Sequence, residues 1–400
     1  MKSATALTLE IDDLDAASEA LVSVIREKLT IERSAIGIVY SDADVDVAEL
    51  GDKLHTMLGF EIIGLTTTAI FNRNSGYCDM GISLTVITGS DVDISVGSAH
   101  DINIDNCTEK MREAYSAARE RLPQDPRLIL ICSPYSSNLS SENYLEALDE
   151  ASGNVPIFGG VATDHYDLQC LKTFHNGSSY SEAPVFVLIS GNIHPVFSMQ
   201  HQFNAKIERK SVITQSSSNL VERVGDKTFI EYLSDITTIP DGELSLYHFQ
   251  SIPFVMELPD YEESEQPVVR VLTGIDRETG AGEFLSKMPQ GSKLSINILQ
   301  KDNLAASCGE TIDDLLEKMK QVEDYEFCTV LVTTCNARHL LLGDTKDLEA
   351  NILIEKLTDM NPTLNAAGFY AFGEMCPTAA DTGGRAKNRY HNISFAICAF

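Results

Sequence analysis

A cysteine and an arginine follow an apolar run in the last quarter of the sequence. The run CTVLVTTC ends at Cys335, and Arg338 comes three residues later. At the carboxyl edge of a sheet, the guanidinium could bind a ligand carboxylate through two hydrogen bonds, although a surface salt bridge is an equally simple use for it. Cys335 could act as a nucleophile only beside a base, for which His339 and His391 are candidates.

Two carboxylates could bind the amine of the same ligand. Asp164 ends the run VPIFGGVATD, and its carboxylate could accept a hydrogen bond from an ammonium group. Glu374 follows an apolar strand pattern, where a carboxylate is costly to bury without a partner. It would either pair with Arg338 or Arg270 or contact a ligand amine, and the residues alone leave both alternatives open.

Small and hydroxyl residues lie at the ends of two apolar runs. Glycine allows main-chain N–H groups to approach a ligand closely, and threonine hydroxyls both donate and accept hydrogen bonds. A tight turn after a strand would explain the glycines as well. The candidates of this kind are Gly64, Thr66, Thr67, Gly159, Gly160 and Thr163.

The elements that must position these residues recur three times. Each copy has an apolar strand, a polar loop, a helical stretch and a second apolar strand that ends in glycine or hydroxyl residues. The copies cover residues 34–68, 127–164 and 328–374, and another apolar run follows each. This order predicts an α/β fold of repeated strand–helix–strand units, which form layered sheets with flanking helices. Ligands of such sheets bind beyond the carboxyl ends of parallel strands.

The pattern changes between about residues 212 and 304. Short β-leaning runs there are separated by turn-forming residues, which predicts a β-rich segment in the C-terminal half. With a boundary near residues 199–217, we expect an N-terminal helical extension over 1–30 and two domains, over 31–210 and 211–400.

The composition disfavours several classes of partner. The formal net charge of −29 would repel nucleic acid and anionic lipid surfaces, so we expect neither nucleic acid nor membrane as a partner. The nine cysteines form no C-x-x-C pair and the histidines show no metal-ligand spacing, so no disulfide framework and no metal site are expected. Without a signal peptide or a long apolar stretch, the sequence predicts a cytoplasmic protein.

Several runs resemble the two halves of the FIST family of intracellular sensory domains. The N-terminal half is similar in AIGIVYS, IIGLTTTAIF and PIFGGVATD. The C-terminal half is similar, in the family's order, in PVVRVLTGID, MPQGSKLSINILQKD, TTCNAR, AAGFYAFGEMCP and HNISFAICAF. The resemblance covers about residues 31–400. It departs at Ala337, where the family pattern is closer to C-x-G-R.

The resemblance implies sensing of a small molecule, and amino acids are the class usually proposed for the family. It also implies signalling through a separate output protein, such as a kinase or a cyclase. Gly373, His391 and Asn392 lie at the centre of the C-terminal signature. The complete predicted ligand-binding set is Gly64, Thr66, Thr67, Gly159, Gly160, Thr163, Asp164, Arg270, Cys335, Arg338, Gly373, Glu374, His391 and Asn392.

We therefore expect a cytoplasmic sensory protein that is not an enzyme, has no resident cofactor and binds an amino acid or a similar metabolite. The first alternative is a haem-binding nitric oxide sensor, because some FIST proteins bind haem, with His194 as the candidate axial ligand. The second alternative is an enzyme that uses Cys335 as its nucleophile.

Overall fold

The computed structural model describes the whole chain except residues 137–138, 166–167, 201–209, 244–251, 264, 298, 362 and 381–385. Its three main sheets are built from three units of the same design. The first unit comprises β1 (Lys2–Thr8), α1 (Leu14–Lys28), β2 (Ser34–Asp42), α2 (Val47–Leu58), β3 (Ile62–Thr67), β4 (Ile70–Asn72), β5 (Gly76–Cys78) and β6 (Ile82–Gly89).

The second unit repeats this order of elements. It comprises β7 (Val92–Ser98), α3 (Cys107–Arg119), β8 (Leu128–Ser133), α4 (Ser141–Ser152), β9 (Ile157–Val161), β10 (Thr173–His175), β11 (Ser178–Tyr180) and β12 (Val185–Gly191).

The third unit is interrupted by the predicted β-rich segment. Before the interruption stands β13 (Val196–Gln200). The segment itself comprises β14 (Ser211–Ser217), β15 (Leu220–Val224), β16 (Lys227–Thr228), α5 (Phe229–Thr237), β17 (Phe254–Glu257), β18 (Val268–Arg270), β19 (Leu272–Asp276), β20 (Ala281–Phe284) and β21 (Lys293–Ile296). These strands form an eight-stranded antiparallel sheet with an apolar core of its own.

After this segment the third unit resumes. It continues with α6 (Lys301–Lys320), β22 (Thr329–Cys335), α7 (Asn336–Leu342), α8 (Leu348–Met360), β23 (Asn365–Ala371), β24 (Glu374–Ala380), β25 (Ala386–His391) and β26 (Phe395–Ala399). The prediction of repeated α/β units with a β-rich segment is therefore confirmed. Residues 2–28 contribute β1 and α1 to the first unit, and the predicted domain boundaries remain a prediction.

The three units exchange a hairpin in a closed ring. Each six-stranded sheet has a parallel pair at its centre, β2 with β3, β8 with β9, and β22 with β23. The hairpin that completes the sheet beside β3 is β10–β11 of the second unit, whereas β24–β25 of the third unit pairs with β9 and β4–β5 of the first pairs with β23. Each unit thus completes the sheet of a neighbour, and none can separate without breaking main-chain hydrogen bonds.

The cores follow from this arrangement. One apolar cluster lies between the three sheets and includes Tyr40 and Phe369, whose rings stack with their centroids 4.4 Å apart. Three further clusters lie between each sheet and the helices of its own unit. Because helices cover one face and the other sheets cover the second, the central strands are apolar on both faces, as the continuous runs in the sequence indicate.

Glycines lie where the exchanged hairpins cross the central strands. Gly64 in β3 is paired with Phe174 of β10, and Gly368 in β23 is paired with Phe71 of β4. A Cβ atom on Gly368 would overlap the Phe71 ring. Gly368→Ala is therefore expected to lower the free energy of unfolding by about 1–3 kcal/mol, because the aromatic ring must leave its packed position. Urea denaturation followed by circular dichroism measures the change.

The matched control is Gly309→Ala on α6. A Cβ there has only the end of the Lys356 side chain near it, at 3.6 Å. In a helix interior, alanine is more favourable than glycine by about 0.5–1 kcal/mol, so this variant should be at least as stable as the parent protein. Equal stability of the two variants would show that the glycine at the hairpin crossing is not required by packing.

Candidate functional site

The threonines predicted as ligand groups lie where the three units meet. The hydroxyls of Thr67 and Thr163 both donate to the carbonyl oxygen of Tyr370, at 2.8 and 3.0 Å. Thr66 donates its hydroxyl to the carbonyl oxygen of Cys170 at 2.8 Å. All three threonine side chains are buried. The Thr67 and Thr163 hydroxyls therefore connect strand ends of the first, second and third units, and the Thr66 hydroxyl connects the first unit to a loop of the second.

The predicted glycines lie at close contacts between strands. A Cβ atom on Gly160 would be 2.6 Å from Cγ2 of Thr333, and one on Gly159 would overlap the carbonyl group of Ile131. Gly373 has the Tyr390 phenol where a Cβ would stand. Close packing within and between units accounts for these glycines, and no ligand is needed to explain them.

The Asp164 carboxylate organises a loop. Its Oδ2 accepts hydrogen bonds from the backbone N–H groups of Gln169 at 2.7 Å and Cys170 at 3.1 Å, and Oδ1 accepts one from Leu168 at 3.3 Å. Asp164 is only 1% exposed. The carboxylate predicted to meet a ligand ammonium thus binds the main chain of residues 168–170 and holds this loop against the end of β9.

Arg338 is buried in an ion pair with Glu349. Its Nε donates to Oε1 of Glu349 at 2.7 Å, and its Nη2 donates to the carbonyl oxygen of Leu304 and the hydroxyl of Ser307, both at 3.0 Å. The two charged side chains are 2% and 0% exposed. This arginine is therefore neither a surface ion pair nor a group directed at a cleft, and it joins α6, α7 and α8.

Arg270 joins the β-rich segment to the second unit. Its Nη2 donates to Oε1 of Glu142 at 2.8 Å, and its Nη1 donates to the carbonyl oxygen of Tyr390 at 2.8 Å. The backbone N–H of Lys287 donates to the other oxygen of Glu142 at 2.9 Å. Of the two alternatives for Glu374, pairing with Arg338 or Arg270 is therefore not the one observed, because these arginines pair with Glu349 and Glu142.

Glu374 lies in a fully buried position beside Cys335. Its Oε2 accepts hydrogen bonds from the backbone N–H of Ser394 at 3.0 Å and from its hydroxyl at 2.6 Å, whereas Oε1 has no hydrogen-bond partner among the described residues. Burial raises the pKa of Glu374 to about 8, although the Ser394 hydrogen bonds oppose the shift. The carboxyl is therefore largely protonated at neutral pH.

The Cys335 thiol is poorly suited to nucleophilic attack. Burial raises its pKa well above the ordinary value, and the neighbouring Glu374 raises it further. The thiolate is the reactive form, so a buried thiol with a raised pKa is chemically inert. His391 of β25 is buried and is paired with Glu374 of the neighbouring strand β24. Asn392 accepts a hydrogen bond from the Ser286 hydroxyl at 2.9 Å.

An open cleft lies beyond the carboxyl end of β8, between the segment that follows β8 and the loop held by Asp164. Its volume is about 310 Å³. Glu182 is the only charged residue among its described lining residues, which are Tyr135, Ser136, Leu168, Gln169, Leu171, Ser181 and Glu182. The Tyr135 ring packs edge-to-face on Phe372 of the third unit, with centroids 5.7 Å apart.

The cleft can bind a small polar molecule. Burial raises the pKa of Tyr135, so its phenol remains protonated and able to donate a hydrogen bond. Glu182 is exposed and offers a carboxylate to a cationic group. The cleft lies beyond the carboxyl end of a parallel strand, where the sequence predicted ligand groups, but the sequence did not reveal these residues, because they come from separate polar loops without a recurring pattern. The available signal was an aromatic residue, Tyr135, two positions after the end of β8.

His194 does not fit the role of a haem ligand. It is exposed, and its ring contacts Tyr325 edge-to-face with centroids 4.8 Å apart. An axial ligand requires a pocket that encloses the macrocycle, and a histidine on an exposed loop does not provide one.

In the described part of the chain, no helix combines the length and the apolar character needed to cross a membrane.

The arrangement of units and motifs agrees with the family comparison. A model of the FIST N domain matches residues 35–227, and a model of the FIST C domain matches residues 230–377. The chain belongs to the FIST family, whose domains act as small-ligand sensory domains in signal transduction. The resemblance in the sequence motifs is thereby confirmed. No curated protein sequence matches this chain.

Solved structures give distant matches. A cyanuric acid hydrolase from A. caulinodans has a TM-score of 0.37 at 8% identity, covering 100% of this chain and 98% of that one. A second cyanuric acid hydrolase has a TM-score of 0.35 at 9% identity, covering 100% of each chain. A chorismatase has a TM-score of 0.35 at 8% identity, covering 99% of this chain and 98% of that one.

These neighbours are enzymes, which contradicts the prediction that this chain is not an enzyme. That prediction is withdrawn. At such TM-scores, the likeness carries no argument for a particular reaction in this chain. The chemistry of the site must therefore be argued from its own residues.

Proposed function

We propose that this FIST protein senses a small metabolite that carries an amine, with amino acids as the leading class, and binds it in the cleft beside Tyr135 and Glu182. The observation that carries the proposal is this cleft of about 310 Å³ at the carboxyl edge of a sheet. Its size is at the lower end of the ~300–1,000 Å³ range of small-molecule pockets, which suits a molecule as small as an amino acid.

The charges of the cleft favour an amine. Glu182 would accept a charge-assisted hydrogen bond from the ligand ammonium group. The hydroxyl groups of Tyr135 and Ser181 would donate to the ligand carboxylate or to another acceptor. The proposal places the ligand away from Arg338 and Arg270, because both guanidinium groups already bind acceptors of the protein.

The response of the protein would depend on the loop held by Asp164. Leu168, Gln169 and Leu171 of this loop line the cleft, while the carbonyl oxygen of Asp164 accepts a hydrogen bond from the Thr68 hydroxyl of the first unit. A ligand that contacts the loop would therefore act on residues that connect the units. Transfer of the signal to a separate kinase or cyclase belongs to the same proposal.

A thermal-shift screen against amino acids, simple amines and haemin tests the proposal. A ligand at ~100 times its dissociation constant should add about 2.7 kcal/mol to the free energy of unfolding. We expect an amine-bearing metabolite to give this shift. Glu182→Gln should then weaken its binding about 10- to 100-fold, because a hydrogen bond to a charged group contributes about 1.5–3 kcal/mol.

Glu120→Gln is the control variant, since Glu120 is an exposed acid at the end of α3 outside the cleft lining. It should leave the affinity unchanged. The proposal is wrong if no amine stabilises the protein, or if Glu182→Gln binds the ligand as tightly as the parent. A shift with haemin alone would instead support the haem alternative.

A further inference from the structure

Three potential metal ligands converge at the end of β2, at the start of the loop that lines the cleft. They are Asp42, Asp44 and His165, and one ligand atom from each lies within 4.8 Å of the others. Asp42 and Asp44 belong to the first unit, whereas His165 follows β9 of the second. Sequence spacing predicted no metal site because 123 residues separate Asp42 from His165.

Asp42 carries an unpartnered carboxylate oxygen. Its side chain is 0% exposed. The Oδ1 atom accepts a hydrogen bond from the backbone N–H of Asp44 at 2.9 Å and lies 3.2 Å from Nε2 of His165. The Oδ2 atom has no hydrogen-bond partner in the described part of the chain. A buried carboxylate oxygen without a partner is costly, and a cation bound by both oxygens of Asp42 would remove that cost.

The distances suit ligands of one ion. Two ligand atoms that each lie ~2.1 Å from a metal ion are roughly 3.0–3.4 Å apart in octahedral or tetrahedral geometry. The distance from His165 Nε2 to Asp42 Oδ1 is 3.2 Å, and that to Asp44 Oδ2 is 3.9 Å. The Asp44 side chain is 70% exposed, so it can rotate by the small amount needed to approach the ion.

We propose that Asp42, Asp44 and His165 bind a divalent first-row transition-metal ion, such as Mn²⁺ or Zn²⁺. An imidazole with two carboxylates favours these ions over Ca²⁺ or Mg²⁺, which prefer oxygen ligands throughout. His165 is 41% exposed, which leaves room for water to complete the coordination shell. The net charge of −29 also concentrates cations near the protein surface.

The ion would fasten the second unit to the first. His165 directly follows Asp164, whose carboxylate holds the loop of residues 168–170 at the cleft. Metal binding would thus fix both the start and the fold of this loop. The inference goes beyond the proposed ligand and does not depend on it. Without a metal, the same distances would describe a hydrogen bond between His165 and Asp42, and the test must distinguish this contact from a metal site.

Mn²⁺ titration followed by electron paramagnetic resonance distinguishes a metal site from a direct contact between His165 and Asp42, because free Mn²⁺ gives a signal that is lost on binding. The full chain is first treated with EDTA, then exchanged into buffer of physiological ionic strength to screen weak surface binding. Mn²⁺ is the probe because it binds thiols poorly, whereas Zn²⁺ would also bind cysteine. We expect one saturable ion per chain and a rise in melting temperature with Mn²⁺.

Asp42→Asn and His165→Gln should each weaken Mn²⁺ binding at least ~10- to 100-fold, since even loss of a residue that only supports a ligand has an effect of this size. Asp44→Asn and His165→Gln change exposed side chains, so they remain informative if Asp42→Asn does not fold. The control is His175→Gln, which removes a histidine paired with the single carboxylate of Glu61 and should leave Mn²⁺ binding intact.

The metal site is refuted if the parent protein shows no saturable Mn²⁺ binding. It is equally refuted if His165→Gln binds Mn²⁺ as tightly as His175→Gln does. In either case the cluster is a hydrogen-bonded group of side chains without a metal ion.

Discussion

Replacing Arg338 by methionine is expected to lower the free energy of unfolding by about 3–5 kcal/mol, because it leaves the Glu349 carboxylate buried without its cation. Glu349 is completely buried, and its second oxygen accepts a hydrogen bond only from the Thr334 hydroxyl, at 2.9 Å, among the described contacts. One neutral donor cannot compensate a buried negative charge. Urea denaturation followed by circular dichroism measures the loss.

Two controls separate the ion pair from the loss of side-chain volume. Arg338→Met combined with Glu349→Leu removes both charges and should recover much of the stability, since apolar pairs often replace buried ion pairs without loss. Arg112→Met breaks an ion pair with Glu150 in which both side chains are more than half exposed, and it should cost no more than about 1 kcal/mol. If Arg338→Met lowers the free energy of unfolding no more than Arg112→Met does, the structural role assigned to Arg338 is wrong.

The second large effect is a decrease in stability as the pH rises from about 5 to 8, caused by Glu374. Burial raises the pKa of this carboxyl to about 8 in the folded protein, while in the unfolded chain it titrates near its ordinary value of 4.5. Between these values, the folded state holds a proton that the unfolded state has lost. Raising the pH therefore favours unfolding, with a slope of at most about 1.4 kcal/mol per pH unit.

Urea denaturation at several pH values, for the parent protein and Glu374→Gln, isolates this contribution. Glutamine keeps the shape of the protonated acid but cannot ionise, so the variant should lose this slope and be relatively more stable near pH 8. Glu120→Gln, at an exposed position, should keep the slope of the parent. A Glu374→Gln variant with the pH dependence of the parent would show that Glu374 does not titrate in this range.

The three units could be recognised from the sequence because each repeats the same strand, helix and strand with the same small residues at its end. The hairpin exchange could not. The strands β4, β5, β10 and β11 have three residues each. Such short segments carry little pattern of their own, and their partners are selected by tertiary packing. The sequence singled out Gly64 as a candidate ligand group. In the structure it lies at a hairpin crossing, where the absence of a side chain allows close contact with Phe174.

The roles of the charged residues were harder to predict from the sequence. Sequence placed Arg338 at the end of a strand but could not show that Glu349, eleven residues later, neutralises it within the core. Burial and partner choice depend on how helices pack, which local pattern does not encode. The cleft could not be predicted for the same reason, since Tyr135 and Glu182 belong to different loops and only the fold brings them together.

Hydrogen–deuterium exchange, with and without the amine ligand that stabilises the protein most in the thermal-shift screen, tests the proposed function most directly. The proposed function predicts slower exchange in peptides that contain residues 135–136 and 168–171 at the cleft. It predicts little change around Cys335 and Arg338, which are already buried. Protection confined to the region of Cys335 and Arg338, with none at the cleft, would contradict the proposed binding site.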